Sequence, residues 1–399
     1  MPRSPFVAVF GLFMAFVVAT AVGQDKKDPP KDPVKDVKVD PPKKEEPKKT
    51  EEPKKVDEPK KVEEPKKVEE PKKVEAKKEE PKKEEVKKDE PKKADGTTLA
   101  WKFTKDKPFY QKMFTKTEQN IKVQGLEVTQ VQEQTFYFKW TPLEEDKDGK
   151  WKIKQEIEGI QMKIDIAGNP VSFDSTVDNP AGGANTALAD FFKNLKGSSF
   201  TLTFNPKTMK VEAVAGKEEF LKKLSTTNNQ QLEALLKKIL TDDALKQMAD
   251  PTFGILPTTP KKVGETWDAT STLNLGPLGT YVNKYTYTYK GADDKSKDLE
   301  AITVVTNLDY IAPTEVDAAL PFKITSSSLK TKESKEPGKI LFDNKSGRLV
   351  SSEIKLALSG DLSIEIGGNK TKVELTQNQQ STVTTAADSL LPKAETKKQ

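Results

Sequence analysis

From Leu99 onward, apolar and polar side chains alternate with a period of two. Phe136, Phe138 and Trp140 alternate with Tyr137 and Lys139, and Ile160, Met162, Ile164 and Ile166 alternate with Gln161, Lys163 and Asp165. Successive strand residues point to opposite faces, so this spacing predicts strands with one buried face. Between the first two runs, Asp146-Lys147-Asp148-Gly149 has the composition of a hairpin turn. The style repeats at Phe200 to Phe204, which leads to a turn at Asn205-Pro206 and a return through Val211 and Val214. It repeats again at 281–289, 302–310, 322–324, 350–358, 362–366 and 373–375, with turn chemistry at Asn344 to Gly347 and at Gly367-Gly368-Asn369.

Helical spacing is confined to the middle of the chain. Leu188, Phe191, Phe192 and Leu195 share one helical face, as do Phe220, Leu221 and Leu224, then Leu232, Leu235, Leu236 and Ile239, then Leu245 and Met248. Thr241 followed by Asp242 and Asp243 predicts a helix start, and Asp250-Pro251 a stop. The sum is an α+β fold, mainly antiparallel β: a curved sheet or partly open barrel with a helical insertion near 183–250. The helices are expected to cap an open face of the sheet, with a partner-binding helix as the alternative.

The first hundred residues follow other rules. Arg3, an apolar run from Phe6 to Val18 and small residues at Ala19-Thr20-Ala21 predict a signal peptide over 1–23, with Ala21-Val22-Gly23 as a second cleavage frame. The competing reading is an uncleaved anchor, since Phe6 to Gly23 approaches spanning length. Residues 24–96 repeat a Lys/Glu/Pro unit, such as Glu63-Glu64-Pro65-Lys66-Lys67-Val68, with nothing to stack in a core. Proline at every sixth position or so blocks helix, so a disordered spacer of polyproline II character is expected. Lysine pairs binding an anionic wall polymer are the alternative. The globular domain is assigned to 97–385 and a flexible tail to 386–399.

Composition removes several function classes. The net charge is +5, but the segment from Asp25 to Asp95 holds 25 Lys against 23 acids, and the remaining excess sits at the two termini. The domain itself is near neutral. Only Arg3 and Arg348 are arginine, too few for the bidentate contacts to phosphates and base edges on which nucleic-acid binding depends, so no nucleic-acid partner is expected. There is no Cys and no His, which removes disulfides, thiolate nucleophiles, the usual general base and most transition-metal sites.

The motifs Val171-Ser172-Phe173-Asp174-Ser175, Phe200 to Pro206 running to Val211-Glu212-Ala213-Val214-Ala215-Gly216, and Pro260-Lys261-Lys262-Val263-Gly264-Glu265-Thr266-Trp267 together resemble a family of exported bacterial domains of unknown function. That family is known from planctomycetes and related envelope-rich bacteria, and the resemblance spans about residues 97–385. In place of the family's glycine before the valine of the second motif stands Lys207-Thr208-Met209-Lys210. The resemblance implies fold and location, not an activity.

Candidate chemistry is sparse. Tyr281, Tyr285, Tyr287 and Tyr289 fall on one strand face, with Lys284 and Lys290 opposite; core packing is the first reading and a stacking platform for sugars or peptides the second. Glu144, Glu145, Asp146 and Asp148 offer oxygens to a hard cation, though as a turn they need none. Asp165 with Asp174, or Glu353 with Glu365, are the acid pairs a glycosidase-like cleft could use. Trp267 is a core anchor or a ligand platform. No catalytic, cofactor or metal residue is assigned and no cofactor is expected. The expected function is a non-enzymatic binding or scaffolding domain on a flexible spacer, in periplasm, envelope or medium, with an envelope component or apolar small molecule as partner. No stable membrane span is expected after signal cleavage. One version places a lipid or acyl chain under the helices. The alternative is a carboxylate-dependent hydrolase of wall or extracellular polysaccharide.

Overall fold

The computed structural model describes residues 96–177, 186–225, 230–314, 322–332 and 336–392. The expected signal peptide, the spacer up to residue 95, the first residues of the expected insertion (183–185) and the tail from 393 lie outside the described residues.

Among the described residues, fourteen strands join one antiparallel sheet. They are β1 (Phe109–Val123), β2 (Leu126–Glu145), β3 (Trp151–Ile166), β4 (Asn169–Asp174), β5 (Ser199–Asn205), β6 (Lys210–Ala215) and β7 (Thr266–Asn274). Then follow β8 (Thr280–Ala292), β9 (Glu300–Ile311), β10 (Lys323–Ser327), β11 (Lys330–Lys332), β12 (Gly338–Asp343), β13 (Arg348–Ile366) and β14 (Asn369–Ala386). The main path runs β6-β5-β3-β2-β1-β14-β13-β11-β9-β8-β7, with β4, β10 and β12 pairing alongside it. Helices α1 (Thr186–Leu195), α2 (Lys217–Leu224), α3 (Gln230–Ile239) and α4 (Asp242–Phe253) lie between β4 and β7 in the chain. The fold is therefore the mainly antiparallel one expected, a partly open barrel.

Three long hairpins turn on two residues that both take positive φ: Gln124-Gly125 (50° and 85°), Ala167-Gly168 (51° and 83°) and Gly367-Gly368 (55° and 82°). Such turns match the right-handed twist of the strands they join and fix register without slack. Register in turn decides which side chains face inward, because a one-residue slip would expose every core position. Phe136, Phe138 and Trp140 all point into the core, with at most 4% exposure.

Among the described residues the barrel does not close strand to strand. Its edge strands β6 and β7 both contact helix α4, which covers the two edges and blocks further pairing. Thr241 caps α4 as expected, its Oγ1 accepting from the Ala244 N–H at 3.1 Å. The expected stop at Asp250-Pro251 is corrected: the helix continues to Phe253. The cause is tertiary. Phe253 is fully buried, with ring centroids 4.8 Å from Phe204, 5.4 Å from Trp140, 5.6 Å from Trp101 and 6.2 Å from Phe103. Aromatic packing of this extent outweighs the local cost of proline.

Between the sheet residues Met113, Phe138, Trp140 and Ile157 and the helical residues Phe220, Leu245 and Met248, a gap of about 20 Å³ remains. It has room for about one water molecule. Side chains of sheet and helices meet around that gap. At the C-terminal end, Ser389 Oγ donates to Glu158 at 2.9 Å, and a Cβ at Gly159 would stand 2.6 Å from Leu391. The chain therefore stays on the sheet past residue 386, through Leu391.

Candidate functional site: an aromatic cleft at the seam of the sheet

At the seam bridged by α4, a cleft of about 440 Å³ opens between three segments. The β5–β6 turn supplies Thr208 to Lys210, the chain after α4 supplies Gly254 to Lys261, and β7 and β8 supply Trp267 to Ser271, Tyr285 and Tyr287. The last of these positions follow from register, since Trp267 lies opposite Tyr287 and Ala269 opposite Tyr285. Directly opposed aromatic residues make close cross-strand pairs. The Trp267 ring stacks on Tyr287 at 5.4 Å and 20°, and Tyr287 stacks on Tyr285 at 5.9 Å and 25°.

Trp267 is half-buried and its indole N–H donates to the Ile255 carbonyl at 3.2 Å. It is thus anchored on one side and open on another. Opposite stands Met209, within the Lys207–Lys210 stretch of the β5–β6 turn. It keeps a positive φ of 55°, a conformation that burdens a non-glycine residue; burial of its side chain holds it there. The polar part of the lining comes from Thr258, Thr259, Thr270, Lys261 and Asp268, and Asp268 accepts from Thr286 Oγ1 at 2.7 Å.

The tyrosine stripe faces the core, as its first reading had it: Tyr281, Tyr285, Tyr287 and Tyr289 are buried, while Lys284 and Lys290 are exposed. Tyr289 donates to Glu300 at 2.6 Å. The Tyr287 hydroxyl is buried without a hydrogen-bond partner, and burial holds its pKa well above the usual phenol range. It is a neutral, fixed group beside the cleft.

The candidate acids do not gather. Asp146 Oδ1 accepts from the N–H groups of Asp148 and Lys150, both at 2.9 Å, bonds that hold its carboxyl below the usual range, the Lys150 N–H foremost. Glu144 pairs with Lys152 at 2.7 Å. Among the described residues, no group of three such side chains could hold a metal ion. Gln161 is the cross-strand partner of Asp174 and of the same strand as Asp165; four residues at ~3.3 Å put Asp165 roughly 13 Å from that position. Glu353 and Glu365 lie twelve residues apart on β13, about 40 Å. Neither pair approaches the ~5–9.5 Å at which two carboxyl groups act across one glycosidic bond.

Sequence reasoning missed a buried polar band. On the inward face of β1, β2 and β14, Thr115, Thr117 and Gln119 stand beside Gln130, Gln132 and Gln134, and beside Gln377, Gln379 and Ser381. Gln119 Nε2 donates to Gln377 Oε1 at 2.7 Å, Gln132 to Gln134 at 3.2 Å and Gln377 to Gln379 at 3.3 Å. The Oε1 atoms of Gln119 and Gln132 remain buried without partners. Parity could have found the band, since Gln130, Gln132 and Gln134 share the even numbering of Phe136, Phe138 and Trp140.

With this geometry in hand, residues 148–349 match the model of a family of unknown function, DUF6263. The chain belongs to that family. All three motifs that carry the resemblance, from Val171 to Trp267, fall within the matched span, and so do the cleft and its stacked rings. No curated protein matches the chain. Among solved structures, a study of lipid–protein interactions in lipovitellin aligns over 73% of this chain at 9% identity, with a TM-score of 0.39. The chain spans only 27% of that lipovitellin chain. OccK5 (OpdH) of Pseudomonas aeruginosa aligns over 70% of this chain and 98% of its own at 4% identity, with a TM-score of 0.21. DynF of the dynemicin biosynthesis pathway of Micromonospora chersina aligns over 73% and 86% at 9% identity, with a TM-score of 0.16.

Proposed function

We propose that this domain is the non-enzymatic binding module of an exported protein, and that it takes a small ligand with an apolar or aromatic face in the Trp267 cleft. The observation that carries the reading is the half-open indole of Trp267, stacked on Tyr287 in a cleft of about 440 Å³. Small-molecule sites have volumes of about 300–1,000 Å³, with mostly apolar walls and a few polar groups that orient the ligand. Thr270, Asp268 and Lys261 are those polar groups here. The scattered carboxylates favour binding over hydrolysis. The leader expected at 1–23 supports export, and the spacer expected at 24–96 supports reach within the envelope or beyond it.

The test uses the full chain expressed with its leader. Titration with the neutral probe N-phenyl-1-naphthylamine should give a saturable fluorescence rise, lowered at least about tenfold in affinity by Trp267→Ala and largely kept by Trp267→Phe. Native mass spectrometry and solvent extraction of the purified chain should identify a bound apolar compound. Equal probe binding by wild type and Trp267→Ala, with nothing extracted, would refute the reading. N-terminal sequencing of the chain from the periplasm or medium should begin just after Ala21 or Gly23; an intact Met1 in the membrane fraction refutes cleavage.

A further inference from the structure

Arg348 is the single arginine of the domain, among dozens of lysines. Its guanidinium carbon lies 5.0 Å above the ring of Phe103 and 4.7 Å above that of Phe109. Two ring faces hold the planar group by cation–π attraction and fix its orientation. Gly347 makes this arrangement possible. It has φ 63°, and a Cβ there would stand 2.4 Å from the Lys102 backbone nitrogen. The Lys102 N–H donates to the Gly347 carbonyl at 3.2 Å, so the chain that carries Phe103 lies directly beside the β12–β13 turn.

Among the described residues, no carboxylate forms an ion pair with this cation. The acid across from it in the register is Asp343, but Asp343 spends both oxygens on its own turn. Oδ1 accepts from the Lys345 N–H at 2.8 Å and the Ser346 N–H at 3.3 Å, and Oδ2 accepts from Ser346 Oγ at 2.6 Å. Among the described residues Arg348 forms no ion pair, and its one hydrogen bond there goes from Nη1 to the adjacent Gly347 carbonyl at 3.1 Å. Lys102, on the same segment as Phe103, is likewise engaged with carbonyls, those of Asn344 and Lys345. Partial burial draws the guanidinium down to about 10. A half-buried cation held by two rings, with most of its N–H fork unspent, is unusual: such groups are normally paired.

We propose that Arg348 is an oxyanion-binding residue, its fork receiving a carboxylate or phosphate group while Phe103 and Phe109 hold the guanidinium in place. The site shares no residue with the Trp267 cleft, so the two readings stand or fall separately. Lysine would supply the charge but neither the planar stack nor the fork.

Arg3→Lys leaves Arg348 as the one arginine of the full chain, so arginine-specific ¹⁵N labelling gives a single Nε–H resonance. Sodium acetate or inorganic phosphate should shift it along a saturating curve with half-saturation at roughly millimolar anion, and sodium chloride at matched ionic strength should not. Saturation by acetate alone marks a carboxylate ligand, and saturation by phosphate alone a phosphate; either supports the site. A drift that follows ionic strength equally for all three salts overturns it. As a second readout, phosphate or acetate should raise the melting temperature of wild type more than chloride does. That increment should vanish in Arg348→Lys and Arg348→Met, and its persistence in both would also overturn the site.

Discussion

The indole N–H of Trp267 donates to the carbonyl of Ile255 at 3.2 Å, which ties the platform of the cleft to the chain leaving helix α4. A second indole does the same nearby: Trp101 Nε1 donates to the Phe253 carbonyl at 2.8 Å. Ser271 Oγ reaches the Gln247 carbonyl at 3.5 Å, and Gln247 Oε1 accepts from the Asn274 N–H at 3.0 Å. Closure of the barrel and formation of the cleft are therefore one structural event, because the same helix makes both.

Phe253→Ala should test that coupling. The ring is fully buried among four aromatic neighbours, so truncation is expected to cost about 3–5 kcal/mol. Urea unfolding should show a lowered midpoint, and the probe affinity of the cleft should fall with it.

Tyr287→Phe should separate stability from function. It removes a buried hydroxyl that has no partner and keeps the ring that supports Trp267. Stability is expected to stay level or rise by up to about 1 kcal/mol, read from thermal unfolding.

The polar band predicts an asymmetry. Gln119→Leu deletes one unpartnered oxygen but strands Gln377 Oε1, so its effect on stability should be small. Gln377→Leu leaves the whole Gln119 amide unpaired and also strips Gln379 Oε1 of its donor. Buried unpaired groups cost about 1–3 kcal/mol each, so this variant should be the less stable of the two in urea titrations.

Asp293 gives the acid limb of stability. The Lys339 ammonium, and after it the Lys295 and Ser296 N–H groups, hold its carboxyl below the usual range. A depressed folded value stabilises the protein above the unfolded carboxyl's value of ~3.9, and that contribution is lost as pH falls through the lower folded value. Asp293→Asn should therefore be less stable than wild type at pH 6–7, and the gap in urea midpoint should shrink below about pH 4.

The sequence alone determined what depends on near neighbours. Alternation fixes which residues of a strand share a face, so the inward positions of β2 and β3 were legible from Phe136 to Ile166. The turns at Asp146–Gly149, Asn344–Gly347 and Gly367-Gly368 were legible from their own chemistry, as was the cap at Thr241. Tertiary structure decided the rest. The pairing of β1 with β14, which sets Met113 opposite Val383, joins the two ends of the domain and leaves no local signature. Proline at 251 predicts a stop, and only the ring cluster around Phe253 overrides it. Trp267 reads as core or platform until register sets it on Tyr287 at an open seam. Arg348 reads only as a lone arginine until Phe103 arrives beneath it from 245 residues away. In each case the deciding energy lies in contacts between segments distant in the chain, and a pattern read over a few residues cannot carry it.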